Sequence, residues 1–394
     1  MKFPETLKRV LIYCAAVGIL QAVLFTPVPS TVSWAGTFRV ATYNVENLFD
    51  LSHDGTEYPA YVPGARYGWD SDILAIKAEN LSRVIVDLNA QVLALQEVES
   101  IAALEYLQAV LREKGLDYPW AAVTEKDDTA VRCALLSTYP IVESRDIVVF
   151  GRQNRNILKA TVEIDGTPLV LFVNHWRSRS APESQRKRSA KALYNAVSEL
   201  PPGTDYILLG DFNTNYNEFE TITEDARLND TGGRTGINHV LNTIHDGALV
   251  DTDILVQVDE KRLHYNLWLE VAEERRWSYL FFGQRRTLDH ILLPAPLYGE
   301  SGIAYVDNSF DKFDPHYLFK DDRIFRWQRE DKGRGRHLGK GYSDHLPVSA
   351  CFTTGGVASS ADFAACRPES TAAPVFEPEK SRISPVESGA GDGL

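Results

Sequence analysis

Two stretches decide how this sequence reads: LVLFVNHW, residues 169–176, and YILLGDFNT, residues 206–214. Each runs apolar without a break and then stops in amide, acid or imidazole groups, Asn174 and His175 in the first, Asp211 and Asn213 in the second. Unbroken apolar runs mark strands covered on both faces, because a half-exposed strand alternates. The design recurs outward in both directions. FRVATYNV (38–45) leads into Asn44 and Glu46, VLALQEV (92–98) carries Glu97, and LDHILL (288–293) holds Asp289. Asp344 and His345 stand directly before one more apolar strand in HLPVSACFT (345–353). Polar groups at the tips of core strands are costly unless they meet a metal, a substrate or each other.

Further strand-like runs are CALLSTYPIV (133–142), DIVVF (146–150), ILKATVEI (157–164) and WSYLFF (277–282). Between the strands lie three helical faces: Leu81, Val84, Ile85 and Leu88; Ile101, Leu104, Leu107 and Leu111; and Ala190, Leu193, Val197 and Leu200. Gly115 ends the second, and Pro201 with Pro202 stops the third. Many strands with few long helices predict an α/β (α+β) architecture of packed sheets with helices outside, not a doubly wound sheet.

The chain has 394 residues, 44% hydrophobic and 24% charged, which excludes a disordered or collagen-like body. Lys and Arg total 41 against 54 Asp and Glu, a net charge of −13, so a polyanionic partner has to be gripped by local basic patches. At the N-terminus, Lys2, Lys8 and Arg9 precede an apolar run, 10–25, then Pro27, Pro29 and a small-residue pattern before Gly36. That order predicts a signal peptide over 1–35 and a secreted or periplasmic protein. A retained anchor is the alternative, although the run falls short of the ~20 residues a spanning helix needs. No other segment could span a bilayer, so no membrane contact is expected after cleavage. Residues 355–394 form an Ala/Ser/Pro/Glu-rich tail, expected to be largely disordered, which leaves 36–354 as the catalytic domain. Cys133 reads as a buried small hydrophobe, whereas Cys351 and Cys366 could close a short loop worth about 3 kcal/mol in an oxidising compartment.

Taken singly, each polar strand end has a plain structural reading. Alternation turns His290 away from Asp289, and Asp251 and Asp253 read as structural. Taken together, six such ends in one domain supply carboxylate and carboxamide oxygens suited to a hard divalent cation such as Mg²⁺. Neither a zinc motif nor a glycine-rich phosphate loop is present.

In order, ATYNVENLF, LALQEVE, NHWRS, LLGDFNT, LDHIL and SDHLPV resemble the motifs of the endonuclease/exonuclease/phosphatase superfamily. The opening ATYNVENLFD and the tract SYLFFGQRRTLDHILL are most similar to its bacterial extracellular-nuclease branch. The resemblance, from Arg39 to Phe352, implies a four-layer sandwich of two packed mixed sheets flanked by helices. It implies Mg²⁺ or Mn²⁺, with Ca²⁺ as a further option. Glu97 would be the leading metal ligand, Asn44 would orient it, Glu46 would ligate directly or through water, and Asp344 would join the metal region. Asp211 would serve the attacking water, Asn213 a phosphate oxygen, and Asp289 would hold His345 against the phosphate. His175 would be the general acid for the leaving oxygen.

Basic residues cluster after His175 (Arg177, Arg179, Arg186, Lys187, Arg188, Lys191), before Asp344 (Arg326 to Lys340) and at Arg285 and Arg286. Three such tracts in an acidic protein point to a polyanionic substrate, with Arg177, Arg186 and Arg188 as candidate contacts. Trp176, Trp277 and Trp327 could stack on bases or pack the rim. The expectation is an exported, monomeric, metal-dependent phosphodiesterase without a stable protein partner, a non-specific nuclease on DNA or RNA. The alternative is a phosphatase or phospholipase C of the same fold, acting on inositol phosphates or sphingomyelin. No membrane-dipping apolar hairpin is evident in the sequence, which weighs against the lipid branch. A non-catalytic binding protein would lack some of the motif residues, and none is missing.

Overall fold

The computed structural model describes residues 36–125, 129–258, 262–356, 358–359 and 366. The expected signal segment and most of the expected tail lie outside the described residues. Strand β1 (Thr37–Leu48) pairs parallel with β2 (Val92–Val98), and the sheet continues antiparallel through β4 (Arg132–Ser137) to β3 (Trp120–Val123). A second sheet holds β5 (Ile141–Ile147), β6 (Ile157–Ile164), β7 (Thr167–His175), β8 (Tyr206–Asp211), β9 (Tyr265–Asn266) and β10 (Asp289–Leu293). Its spatial order is β9-β10-β8-β7-β6-β5, with β7 and β8 parallel. The first sheet is completed by β11 (Ile303–Tyr305), β12 (Asp311–Lys312) and β13 (Val348–Thr354), the last antiparallel to β1.

Period-2 alternation sorts each strand between two apolar layers, which explains the unbroken runs. Ile207 and Leu209 of β8 and Leu171 and Val173 of β7 enter the core between the sheets, where they meet Val40, Val92, Ala94 and Leu135. Their neighbours Leu208, Phe172 and Val170 face outward onto Ala190, Leu193 and Val197 of helix α3 (Glu183–Ser198). On the first sheet, Leu93, Leu95 and Tyr43 face outward onto α1 (Ser71–Leu88) and α2 (Ile101–Glu113). Helix, sheet, sheet and helix therefore form four layers, as the family resemblance implies.

Side-chain caps set the helix starts. Asp70 accepts from the Ile73 amide and Ser100 from the Ala103 amide, so Ser100, and not Glu97, caps α2. Ile101 departs from the predicted apolar face: it is exposed, while Leu104, Leu107 and Leu111 are buried. Asp251 caps the short helix Thr252–Gln257, the structural role expected of it. A disulfide joins Cys351 to Cys366, and Cys133 is buried and free. Among the described residues no helix is long and apolar enough to cross a membrane.

Candidate active site at the strand ends

The alternation that builds the inner core also builds the site. Asp211 follows Ile207 and Leu209 on the inward face of β8, and His175 follows Leu171 and Val173 on β7. Asp289 precedes Ile291 on β10, and Asn44 continues from Val40 on β1. All four therefore emerge at the rim of the cleft between the sheets. Sheet register then sets them side by side, because Asp211 pairs with His175 on one neighbour and with Asp289 on the other. Gly210 permits this close approach: at φ +129°, a Cβ there would lie 2.1 Å from the Asn174 carbonyl oxygen. His290 faces away, as predicted, bonding the Thr214 carbonyl and Asn266 in a buried layer.

Bulges deliver the remaining carboxylates. The β1–β2 register shifts between Asn44 and Leu48, and the β2–β4 register between Gln96 and Val98. Glu46, Asn47 and Glu97 there adopt positive φ of 49°, 68° and 67°. A bulge re-aims a side chain out of the ladder, here toward the cleft.

Asp211 is held by three N–H groups, the Asn213 amide (2.8 Å), Asn213 Nδ2 (3.0 Å) and Asn44 Nδ2 (3.1 Å). Burial, aided by Asp289, still pushes its carboxyl up to about 7 against those contacts and His345, near neutrality where a general base works best. Asp289 accepts from Ser278 Oγ at 2.6 Å and from His345 Nδ1 at 2.8 Å. Burial alone would lower the His345 pKa, but Asp289 beside it, with Asp211 and Asp344, carries it well above the ordinary value. His175 Nε2 lies 3.5 Å from Asp211 and 3.8 Å from Glu97, while its Nδ1 has no partner among the described residues. Burial, Arg155 and His345 hold this ring well below the usual histidine range. A carboxylate thus stands at hydrogen-bond distance from the His345 ring, at 2.8 Å, and farther from the His175 ring, at 3.5 Å.

Several expected assignments need correction. Glu46 is occupied: Arg326 donates to it through Nε (2.8 Å) and Nη2, and the Trp327 amide donates at 3.0 Å. Arg326 also reaches Asp344 at 3.2 Å, so this member of a predicted surface tract is instead the counter-ion of two site acids. Burial and Asp344 push Glu46 to about 8, against Arg326 and Lys77. Arg186 is wholly buried, paired with Glu183 at 2.7 Å and donating to the carbonyls of Arg177, Ser178 and Ala181. Arg188 is exposed but lines a cavity with Arg145 and Lys191 that none of Glu97, His175, Asp211 or His345 lines. Arg179 is paired with Glu218, and Trp176, Trp277 and Trp327 are buried packing residues.

Arg177 remains at the site edge, bonded to Gln153, and Arg155 joins it there, donating to the Trp176 carbonyl at 3.3 Å. Its charge acts on Glu97, His175 and Arg177. Arg155 escaped sequence reasoning because it sits in a polar loop, and only its position just before ILKATVEI hints at a strand-end role. The hairpin Tyr279–Phe281 with Gln284–Arg286 is a further departure. Tyr279 packs 4.7 Å from the His345 ring, and Phe282 at the tip is 91% exposed, so an exposed apolar hairpin does exist.

The donor set can be tested against a divalent cation. The Glu97 side chain is 21% exposed and receives one long bond, 3.3 Å from Asn44 Nδ2. Burial and Asp344 raise its carboxyl above the usual range, despite Arg155 and His345. Among the described residues no three His, Cys, Asp or Glu side chains converge as a metal cage. A partly exposed carboxylate with one long hydrogen bond fits a hard cation that takes one or two protein carboxylates and completes its shell with water and phosphate oxygens. Asn44 orients this group, because its Oδ1 already accepts from the Glu46 amide at 3.1 Å.

The family model for the endonuclease/exonuclease/phosphatase family matches residues 39–353. Among curated proteins no sequence matches the chain. Similar solved structures include D. rerio TDP2 complexed with a single-strand DNA product, at 17% identity and TM-score 0.49, covering 81% of this chain and 100% of that one. SmcL gives 18%, 0.46, 81% and 99%, and a Bacteroides thetaiotaomicron protein of the same family 13%, 0.46, 82% and 99%. Motif order, four layers and a family match over residues 39–353 agree, and the chain belongs to the endonuclease/exonuclease/phosphatase family, a group of phosphoric ester hydrolases generally dependent on a divalent metal.

Proposed function

We propose that this chain is an exported nuclease that hydrolyses DNA or RNA phosphodiesters without sequence preference, using Mg²⁺ or Mn²⁺. The observation that carries the reading is Asp211 flanked by His175 on one strand and the Asp289–His345 pair on the other, with Arg155 and Arg177 alongside. A phosphodiester resists attack because its charge repels the nucleophile and its leaving alkoxide is basic. Asp211, fixed by Asn213 and Asn44, takes a proton from the attacking water as the new P–O bond forms. His345, its charge supported by Asp289, gives a proton to the departing oxygen as the old P–O bond breaks. His175 in its neutral form and Asn213 hold phosphate oxygens, and Arg155 offsets charge developing on them. A divalent ion held by Glu97 would supply Lewis-acid neutralisation at the phosphate.

The basic, apolar and small-residue order of 1–35 supports export, with a mature chain opening near Gly36 and its catalytic domain over 36–354. A second reading, phospholipase C action, is favoured by the exposed Phe281 and Phe282 on the hairpin whose Tyr279 packs against His345. The full chain with Mg²⁺ or Mn²⁺, offered plasmid DNA, RNA, sphingomyelin vesicles and inositol phosphates, separates the two. Nucleic-acid cleavage with no turnover of lipid is the expected result. Turnover confined to lipid or inositol phosphate overturns the nuclease reading.

A further inference from the structure

A cleft of about 800 Å³ opens from the Glu46 side of the site, between the segment after β1 and the turn that follows Trp327. Its charge is one-sided. Glu46 is the one acid among its lining residues, and Arg326 already engages it. Arg66, Arg329, Lys332 and Arg334 also line it, and none has a carboxylate partner in an ion pair among the described residues. Arg66 instead lies 4.8 Å from the ring centre of Tyr67 and Arg329 lies 5.2 Å from it, a stacked cation–aromatic assembly. The neighbouring Glu330 turns back toward the Arg336 amide.

Two further features accompany the charge of this face. Asp331 and Lys332 both hold left-handed backbone, φ 49° and 57°, in the turn that presents Lys332 and Arg334. Non-glycine residues seldom adopt that conformation in succession, and such strain gathers where a binding surface requires it. Glu46 and Asn47, which follow Asn44 on β1, line the cleft together with Tyr58, 39% exposed, so the cleft opens beside the strand end that carries the site. Unpaired cations beside accessible aromatic rings are the composition that grips a single nucleic-acid strand, phosphates on the cations and bases on the rings.

Resting on the nuclease reading, we propose that this cleft is a subsite for single-stranded nucleic acid flanking the scissile phosphate, with Arg66, Lys332 and Arg334 on the backbone phosphates and Tyr58 against a base. The strand threads the cleft and the reacting phosphate reaches Asp211.

The test uses the full chain and a fluorescent single-stranded oligonucleotide, with binding followed by anisotropy in chelator so that no turnover intervenes. Arg66→Ala/Lys332→Ala/Arg334→Ala should weaken binding at least tenfold. It should also reduce the slope of log affinity against log salt by about 2, near 0.7 for each phosphate no longer neutralised. Tyr58→Ala should weaken binding without changing that slope, and an activated small phosphodiester should be hydrolysed within twofold of the parent. Unchanged oligonucleotide affinity and slope in the triple variant overturn the subsite, even while the parent still cleaves nucleic acid. A parent that neither binds nor cleaves nucleic acid, yet turns over lipid or inositol phosphate, overturns the nuclease reading itself.

Discussion

Replacing Arg186 distinguishes a buried structural ion pair from a substrate contact. The guanidinium is fully buried and donates to Glu183 at 2.7 Å, while the other Glu183 oxygen accepts from the Gly236 amide at 2.7 Å. Arg186→Met removes the charge and nearly preserves the bulk. It leaves Glu183 buried without its counter-ion and frees the carbonyls of Arg177, Ser178 and Ala181, the loop that carries Arg177 to the site. Breaking one side of a buried pair costs about 3–5 kcal/mol. Burial already raises the Glu183 carboxyl and Arg186 opposes this, so the variant raises it further. A carboxyl raised in the folded state holds its proton there, so the deficit is smallest below the ordinary carboxylate pKa and grows as pH rises through the raised value. Urea unfolding at pH 5 and pH 8 measures both effects. Glu183→Gln/Arg186→Met should recover about 1–2 kcal/mol over the single variant, because no buried charge remains. A loss under about 1 kcal/mol at both pH values, joined to weaker nucleic-acid binding and a flatter salt dependence, would refute the buried-pair account.

Three other outcomes are expected. His264 and His290 are buried and neutral, one ring nitrogen donating to a carbonyl and the other accepting from Tyr206 or Asn266; burial holds both near 4. The unfolded chain binds those protons first, so stability falls as pH drops from about 6.5 to 4, by about 3 kcal/mol for each histidine, and acid titration of the unfolding free energy reads it. Cys366→Ser should cost about 3 kcal/mol of stability without changing turnover, and Cys133 should resist alkylation until the protein unfolds. Arg155→Ala should lower kcat about a hundredfold with little change in stability, as loss of a charge-stabilising group does; an unchanged kcat would remove Arg155 from the site.

The fold was legible wherever both faces of a strand are buried. LVLFVNHW and YILLGDFN are apolar throughout because each alternate residue meets a different core, and their polar ends fall in register as Asp211 beside His175. What stayed hidden was pairing across long sequence distances. A run of arginines looks the same whether it faces solvent or, like Arg186, reaches a glutamate one helical turn away in a sealed layer. Arg326 read as a surface charge because Glu46 lies 280 residues earlier in the chain. The bulges that turn out Glu46 and Glu97 rest on positive φ at glutamates, which no local propensity announces. Phe282 reads as core from its apolar neighbours and is exposed only because the chain reverses at Gly283, φ 79°.

In the proposed mechanism, metal holding, water activation and leaving-group protonation reside on different side chains. Steady-state cleavage of one phosphodiester, with Mn²⁺ titrated from trace to excess, tests it for Glu97→Gln, Asp211→Asn and His345→Ala. Excess metal should partly restore Glu97→Gln, while the other two remain about a hundredfold or more below the parent at every concentration. Equal rescue of all three, or no rescue of Glu97→Gln with near-parental turnover by Asp211→Asn, would contradict it.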